Sequence, residues 1–276
     1  MLEKIADKIA QQQRISDEEA LYLYEQAPLE WLKEKADSIR QRLHGDKAFY
    51  NRNIHFEPTN ICIYSCKFCS FYRKPKTSEE DGAWDYSFDD LRDKLNKYDK
   101  DALTEIHITG GVHPDRGIDW AEEMLSIIIE MRPNIHIKAF TAVEVTWMCK
   151  ISKVSVKEGL QRLKEAGLQS LPGGGAEIFD PEIRRKIAGG KAPADRWLEV
   201  HQAAHEIGLE SNATMLYGHS EEYSHRVDHM SQLRDLQDKT KGFNAFIPLR
   251  YRNENNKMSS ENEEVSVNED YRCYCI

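Results

Sequence analysis

Six short apolar runs, most of them followed by an amphipathic helical pattern, constrain this chain more than any other feature. The runs fall at residues 53–57, 103–108, 135–140, just before Pro172, 209–216 and 243–249. Helical spacing is predicted over 87–98, 118–131, 156–166, 195–207 and 224–240. Punctuation supports these limits: Ser87 opens a helix, Pro133 stops one, and Gly167 and Gly208 close two more. Strand and helix in strict series predict a parallel sheet with helices packed outside it, as in a (β/α) barrel. A full barrel repeats the unit about eight times. Here the rhythm ends after the sixth run, so the predicted fold class is α/β, a partial or C-terminally truncated parallel (β/α) barrel.

A helical lead-in precedes the barrel pattern. Ser16 and Glu19 have capping-box spacing, and Leu29, Leu32, Ala36, Ile39 and Leu43 share one helical face before Gly45. The chain thus divides into a lead-in over 1–50, a barrel core over 51–252 and a tail over 253–276. The tail is rich in Asn, Glu and Ser and is expected to be irregular. No run approaches the ~20 apolar residues that cross a bilayer. The charged, Gln-rich start lacks the apolar core of a signal peptide. A cytoplasmic protein without a membrane partner is expected. The net charge of −9 also argues against a broad nucleic-acid surface.

Chemistry concentrates at Cys62, Cys66 and Cys69, which follow the first run. Three thiolates in eight residues are soft donors suited to zinc or to iron–sulfur iron. A closed zinc site needs a fourth ligand, such as a histidine. An iron–sulfur cluster held by three thiolates keeps one iron open to a second molecule. Cys149, Cys273 and Cys275 lie elsewhere and suggest no disulfide framework.

Further candidates sit where strands should end. Gly110 and Gly111 follow the second run, with His113 just beyond. Glu144 follows the third run, where it is either a site carboxylate or a helix N-terminal one. Gly173, Gly174 and Gly175 expose backbone after the fourth, and Glu177 is placed to accept hydrogen bonds from ribose hydroxyls. His219 follows the fifth. Arg73, with Lys74 and Lys76, follows the cysteine loop and suits a carboxylate. His201 and His205, like His225 and His229, are four apart, but no HExxH pattern is present, and structural roles are expected.

The spacing of three and then two residues between the cysteines, with Phe68 before the third, resembles the radical S-adenosylmethionine superfamily. The resemblance implies a [4Fe–4S] cluster on Cys62, Cys66 and Cys69, with S-adenosylmethionine on its open iron. It also implies cofactor contacts from Phe68, Gly110 and Gly111, with Glu144 and Glu177 as companions. Where the superfamily motif often carries an acidic residue, this chain has Val112.

Strings at residues 62–74, 138–145, 173–179, 211–219 and 242–249 are similar to the aminofutalosine synthase family of the menaquinone route. That likeness implies a transferase that adds the 5′-deoxyadenosyl radical to 3-[(1-carboxyvinyl)oxy]benzoate, an aryl enol ether. S-adenosylmethionine is then a co-substrate, and a flavodoxin or ferredoxin is the usual electron donor. His113, His219 and Arg73 are the catalytic candidates for so anionic a substrate. The alternatives are a sibling radical enzyme, of the dehypoxanthine futalosine cyclase or deazaflavin synthase type, and a cluster-binding chain without turnover.

Overall fold

The computed structural model describes residues 1–99 and 102–276. Helices α1 (Leu2–Ala10), α2 (Asp17–Gln26) and α3 (Leu29–His44) form the lead-in. The capping box of α2 is reciprocal: Ser16 Oγ accepts from Glu19 N–H at 3.2 Å, and the Glu19 carboxylate accepts from Ser16 N–H at 2.8 Å. Gly45 ends α3 with a φ of +58°, a value that favours glycine.

Six strands follow: β1 (Asn53–Phe56), β2 (Glu105–Ile108), β3 (His136–Ala139), β4 (Ser170–Leu171), β5 (Glu210–Tyr217) and β6 (Phe243–Arg250). They lie in sequence order in one sheet, each parallel to its neighbour. Between them run α4 (Phe88–Asn96), α5 (Ile118–Met131), α6 (Ala142–Ser152), α7 (Val156–Glu165), α8 (Pro181–Ala188), α9 (Ala194–Glu206) and α10 (Tyr223–Thr240). The result is the expected curled part-barrel, with β1 and β6 at its edges among the described residues.

Strand alternation sorts the two faces of the sheet. Ile54, Phe56, Ile106, Ile108, Ile137 and Ala139 join the main core, with Leu95 of α4, Leu125 of α5, Leu160 of α7 and Val200 of α9. The opposite face is polar where a closed barrel is usually aliphatic. There His55, His107 and Lys138 stand in register, and Lys138 pairs with Glu105 at 2.8 Å.

Three elements depart from the sequence reading. Helix α6 begins inside an apolar stretch whose boundary only the Thr141–Glu144 capping box marks. Helix α8 has eight residues, too few for a periodic signal, although Asp180 caps it and Pro181 sits in its first turn. The tail, expected to be irregular, ends in α11 (Val267–Cys275), capped by Ser266. That helix packs through Cys273, buried beneath Tyr24, and Asp270 accepts from Tyr217 Oη at 2.9 Å.

Candidate functional site

The chain leaves β1 and enters a loop that four other segments stitch in place. Cys62 N–H donates to Arg73 O at 2.8 Å, Ile63 N–H to Val112 O at 3.0 Å, and Lys67 N–H to Ile187 O at 2.7 Å. Lys67 O in turn accepts from Lys257 N–H at 2.9 Å. Cys62, Cys66 and Cys69 are free thiols that line one cavity of about 540 Å³, counted to its open mouth. Gly110, Gly111, Gly175 and Lys191 line the same cavity.

The donor set has the chemistry that a cluster takes. Among the described residues no three His, Cys, Asp or Glu side chains converge on one metal position. Three soft donors around one cavity suit a larger inorganic core. Burial pushes the Cys62 thiol up and the Cys66 thiol up to about 11, while Lys191 pulls both back. Iron must therefore displace protons as it binds, the ordinary linkage of thiolate sites.

Bare backbone forms the facing wall. A Cβ at Gly111 would lie 2.3 Å from Ile61 O, and one at Gly110 2.9 Å from Thr59 O, so only glycine fits there. Gly110 N–H donates to Glu144 Oε1 at 3.1 Å. The other Glu144 oxygen accepts from Thr141 N–H at 2.8 Å and Thr141 Oγ1 at 2.7 Å. Glu144 is the helix N-terminal carboxylate of α6 and holds the Gly-Gly loop, but it does not line the cysteine cavity. It lines a neighbouring cavity behind that loop, and burial raises its carboxyl to about 7. Phe140 and Glu177, with φ of +59° and +51°, turn the chain sharply after β3 and after the run Gly173, Gly174 and Gly175. Such backbone is strained in non-glycine residues and persists only where its surroundings enforce it.

Lys191 is the residue that sequence reasoning missed. Its ammonium is paired with the buried Glu177 carboxylate and lies 5.7 Å from the Phe68 ring centroid. Burial pushes Lys191 down, but Glu177 and Cys66 outweigh it, so the ammonium is held above its ordinary value. Burial likewise pushes Glu177 up, yet Lys191 carries it below the usual carboxylate range. The pair stays ionised.

Arg184 explains how these loops meet. Buried on α8, it donates to Gly175 O at 2.9 Å, to Ala176 O at 2.5 Å, and twice to Ala192 O, at 2.9 and 2.7 Å. One planar guanidinium thus fastens the glycine loop carrying Glu177 to the turn carrying Lys191. One helical turn later, Ile187 O holds the cysteine loop through Lys67.

The model of the Radical SAM superfamily matches residues 56–233, which span the cysteine loop, both glycine loops, Glu177, Arg184 and Lys191. The chain belongs to the radical SAM superfamily. Aminodeoxyfutalosine synthase of Thermus thermophilus is 43% identical over 93% of this chain and 68% of its own length. Cyclic dehypoxanthine futalosine synthase of Streptomyces coelicolor is 40% identical over 95% of this chain and 66% of its own length. This radical SAM chain therefore spans about two thirds of the curated relatives it matches. Among solved structures, methylornithine synthase (PylB) superposes with a TM-score of 0.73 at 14% identity, over 97% of this chain and 75% of that one. At that identity the likeness establishes the fold.

In this radical SAM chain the remaining candidates are dispersed. Phe68 lines the cysteine cavity, whereas Arg73, His113 and His219 do not. Arg73 spends its guanidinium on Asp81 O, Ser70 O and Tyr72 O within its own turn. His113 lines the cavity behind the Gly-Gly loop, 3.6 Å from Asp85, and burial lowers its pKa. His219 is sealed: its Nε2 faces Leu216 O at 3.1 Å and its Nδ1 accepts from Ser220 N–H at 2.7 Å. His201 and His205 bracket Ser211 at 2.8 Å each, and His229 faces Thr214 O at 2.9 Å. Their partners are structural, as the missing zinc motif implied.

Proposed function

We propose that this chain joins the 5′-deoxyadenosyl group of S-adenosylmethionine to 3-[(1-carboxyvinyl)oxy]benzoate, as an aminodeoxyfutalosine synthase, with a [4Fe–4S] cluster on Cys62, Cys66 and Cys69. The observation that carries the radical chemistry is the meeting of three free thiols, bare glycine backbone and a half-buried cation in one cavity. The choice of substrate rests on the 43% identity to the Thermus thermophilus synthase. Bound there, the cluster and S-adenosylmethionine supply the 5′-deoxyadenosyl radical.

The chain's own residues bind, orient and exclude water. Gly110 and Gly111 let this wall of the cavity pack directly on the backbone of Thr59 and Ile61, and Glu144 holds the Gly110 amide in place. Lys191 presents a fixed positive charge to an anionic ligand, whether cofactor carboxylate or reduced cluster. Glu177 does not line the cavity itself; it acts through its ion pair with Lys191. Val112, Val143 and Phe71 give the cavity apolar walls that limit access of water. The cytoplasm, with its reducing pool, suits so many free thiols.

The test is anaerobic reconstitution with iron and sulfide. S-adenosylmethionine and the carboxyvinyl benzoate are then added under reduction, and products are read by mass spectrometry. An aminodeoxyfutalosine mass is expected. Free 5′-deoxyadenosine without adduct would move the assignment to the sibling reading, which the 40% identity to the cyclic futalosine synthase supports. In the same assay Lys191→Met is expected to weaken S-adenosylmethionine binding at least about tenfold, or ~1.4 kcal/mol. Unchanged binding would remove Lys191 from the site.

A further inference from the structure

The inner face of the part-barrel, its lumen, carries two rows of polar side chains on β1, β2 and β3, and the rows differ in what they bond. Asn53, Glu105 and His136 form the row nearer the strand starts; His55, His107 and Lys138 form the next row toward the cysteine loop. The first row is satisfied within the protein. Asn53 Nδ2 donates to Glu105 at 3.2 Å, Lys138 Nζ donates to Glu105 at 2.8 Å, and His136 Nε2 meets Ser170 Oγ at 2.7 Å. The second row is left open. Among the described residues neither His55 nor His107 makes a ring hydrogen bond, and Lys138 spends one of its three N–H donors. His44, at the exposed end of α3, is the one other histidine of the ten in this position.

The two open rings stack with centroids 4.6 Å apart, and His107 Nε2 is buried without a partner. His201 Nε2 is bare as well, but it lies on the outer side of the sheet, packed against Trp197 and Phe243. His107 instead sits beside His55, which is exposed on the lumen face. Burial pushes His107 down to about 4, with His55 and Lys138 adding to the effect, so its ring is neutral. The row also has a defined depth. Gly110 lies three residues beyond His107 and Thr141 three beyond Lys138, and both line the cysteine cavity. At the rise of an extended chain this sets the row at most ~10 Å beneath that cavity.

We propose that His55, His107 and Lys138 seat the ring carboxylate of the aryl enol ether. The inference rests on the function proposed for the chain and names how the far end of its substrate is held. The vinyl group reacts at the cluster cavity, so the carboxylate on the ring points away from it, down the lumen. Lys138, steadied by Glu105, has two N–H donors left for that carboxylate, and His55 has a ring N–H. Neutral His107 packs against the His55 ring and fixes its plane. The row breaks no bond; it orients the ether beneath the radical.

The experiment is calorimetric titration of the reconstituted protein, with S-adenosylmethionine present and no reductant. Two ligands are compared: 3-[(1-carboxyvinyl)oxy]benzoate and 2-phenoxyacrylate, the same ether without the ring carboxylate. The unaltered chain is expected to prefer the benzoate at least about tenfold. Two variants test the row. His55→Leu changes an exposed position, and Glu105→Gln/Lys138→Met removes both charges of the pair together, so no buried carboxylate is left unpaired. Each is expected to lower the preference about fivefold, with affinity for 2-phenoxyacrylate and the iron–sulfur chromophore unchanged. Equal affinity of the unaltered chain for the two ligands, or variants that weaken both alike, overturns the inference; an adduct in the turnover assay then keeps the functional reading. An unaltered chain that binds neither ligand and forms no adduct overturns that reading, and the inference with it.

Discussion

Two buried polar groups lie toward opposite ends of β5, and their difference separates chemistry from scaffolding. Near the ends of the strands that face the cysteine loop, Glu177, Lys191 and Arg184 stay charged, and Lys191 borders the cavity. At the start of β5, Ser211 links His201 and His205, and His205 Nδ1 reaches Thr240 Oγ1 at 2.7 Å. The proton order of this second group follows from its end. Thr240 donates to Leu236 O at 2.9 Å, so its oxygen accepts from His205. Ser211 then donates to His205 Nε2 and accepts from His201 Nδ1, leaving His201 Nε2 bare and buried. Burial drives His205 down to about 4 and His201 well below its ordinary value, so both rings are neutral. The rings of Trp197 and Phe243, with centroids 3.7 and 5.6 Å from His201, seal them. A neutral, closed network specifies packing, whereas an ionised one beside a cavity has charge to offer a ligand.

The comparison can be broken most decisively at the thiols. Cys66→Ala is expected to abolish the iron–sulfur chromophore, read by absorbance and bound iron, while Ser211→Ala retains it. Retention of a full cluster in Cys66→Ala would dissolve the distinction. Arg184→Lys comes next: it keeps the charge but loses the planar fork that spans Gly175, Ala176 and Ala192. It is expected to weaken S-adenosylmethionine binding about tenfold, ~1.4 kcal/mol, and to add nothing further in a Lys191→Met background. Additive losses would show that Arg184 acts by some route other than Lys191.

A smaller effect concerns Glu144, whose carboxyl rises from 4.5 to about 7 on folding. Between those values the folded chain holds a proton that the unfolded chain has released, so unfolding releases protons and stability falls as pH rises. Glu144→Gln removes that proton. Relative to the variant, the unaltered chain should lose about 1–3 kcal/mol of stability across this window in urea melts. A flat difference would mean that the carboxylate is ionised throughout. Smallest is the stability cost of Ser211→Ala, about 1 kcal/mol, with cofactor affinity unchanged. A shift in affinity would join the two ends of the barrel functionally.

Much of this molecule was legible before folding was considered. The caps at Ser16 and Ser87, the glycine stops and the alternating runs are local signals, and the structure realises them. The cysteine spacing is local too, and the three thiols do share a cavity. Short or masked elements escaped: α8 is too brief for periodicity, and α6 is hidden in an apolar stretch. Among site residues, Glu144 was legible as a carboxylate but its hydrogen bond to Gly110 was not, because the two are 34 residues apart. Arg73 looked available for a ligand, yet backbone carbonyls of its own turn occupy it. His219 looked like a pocket residue at a strand end, yet it lies sealed against Glu221 at 3.2 Å.

Sequence alone determined the parallel strand order, the helical lead-in and the clustering of three cysteines after the first strand, since periodicity, capping and spacing act within a few residues of one another. Tertiary structure alone decided that Lys191 lines the cysteine cavity. Nothing in a Gly-Gly-Lys turn announces that position. That outcome depends on Arg184 drawing distant carbonyls together and on the Glu177 carboxylate keeping the ammonium charged against the cost of burial.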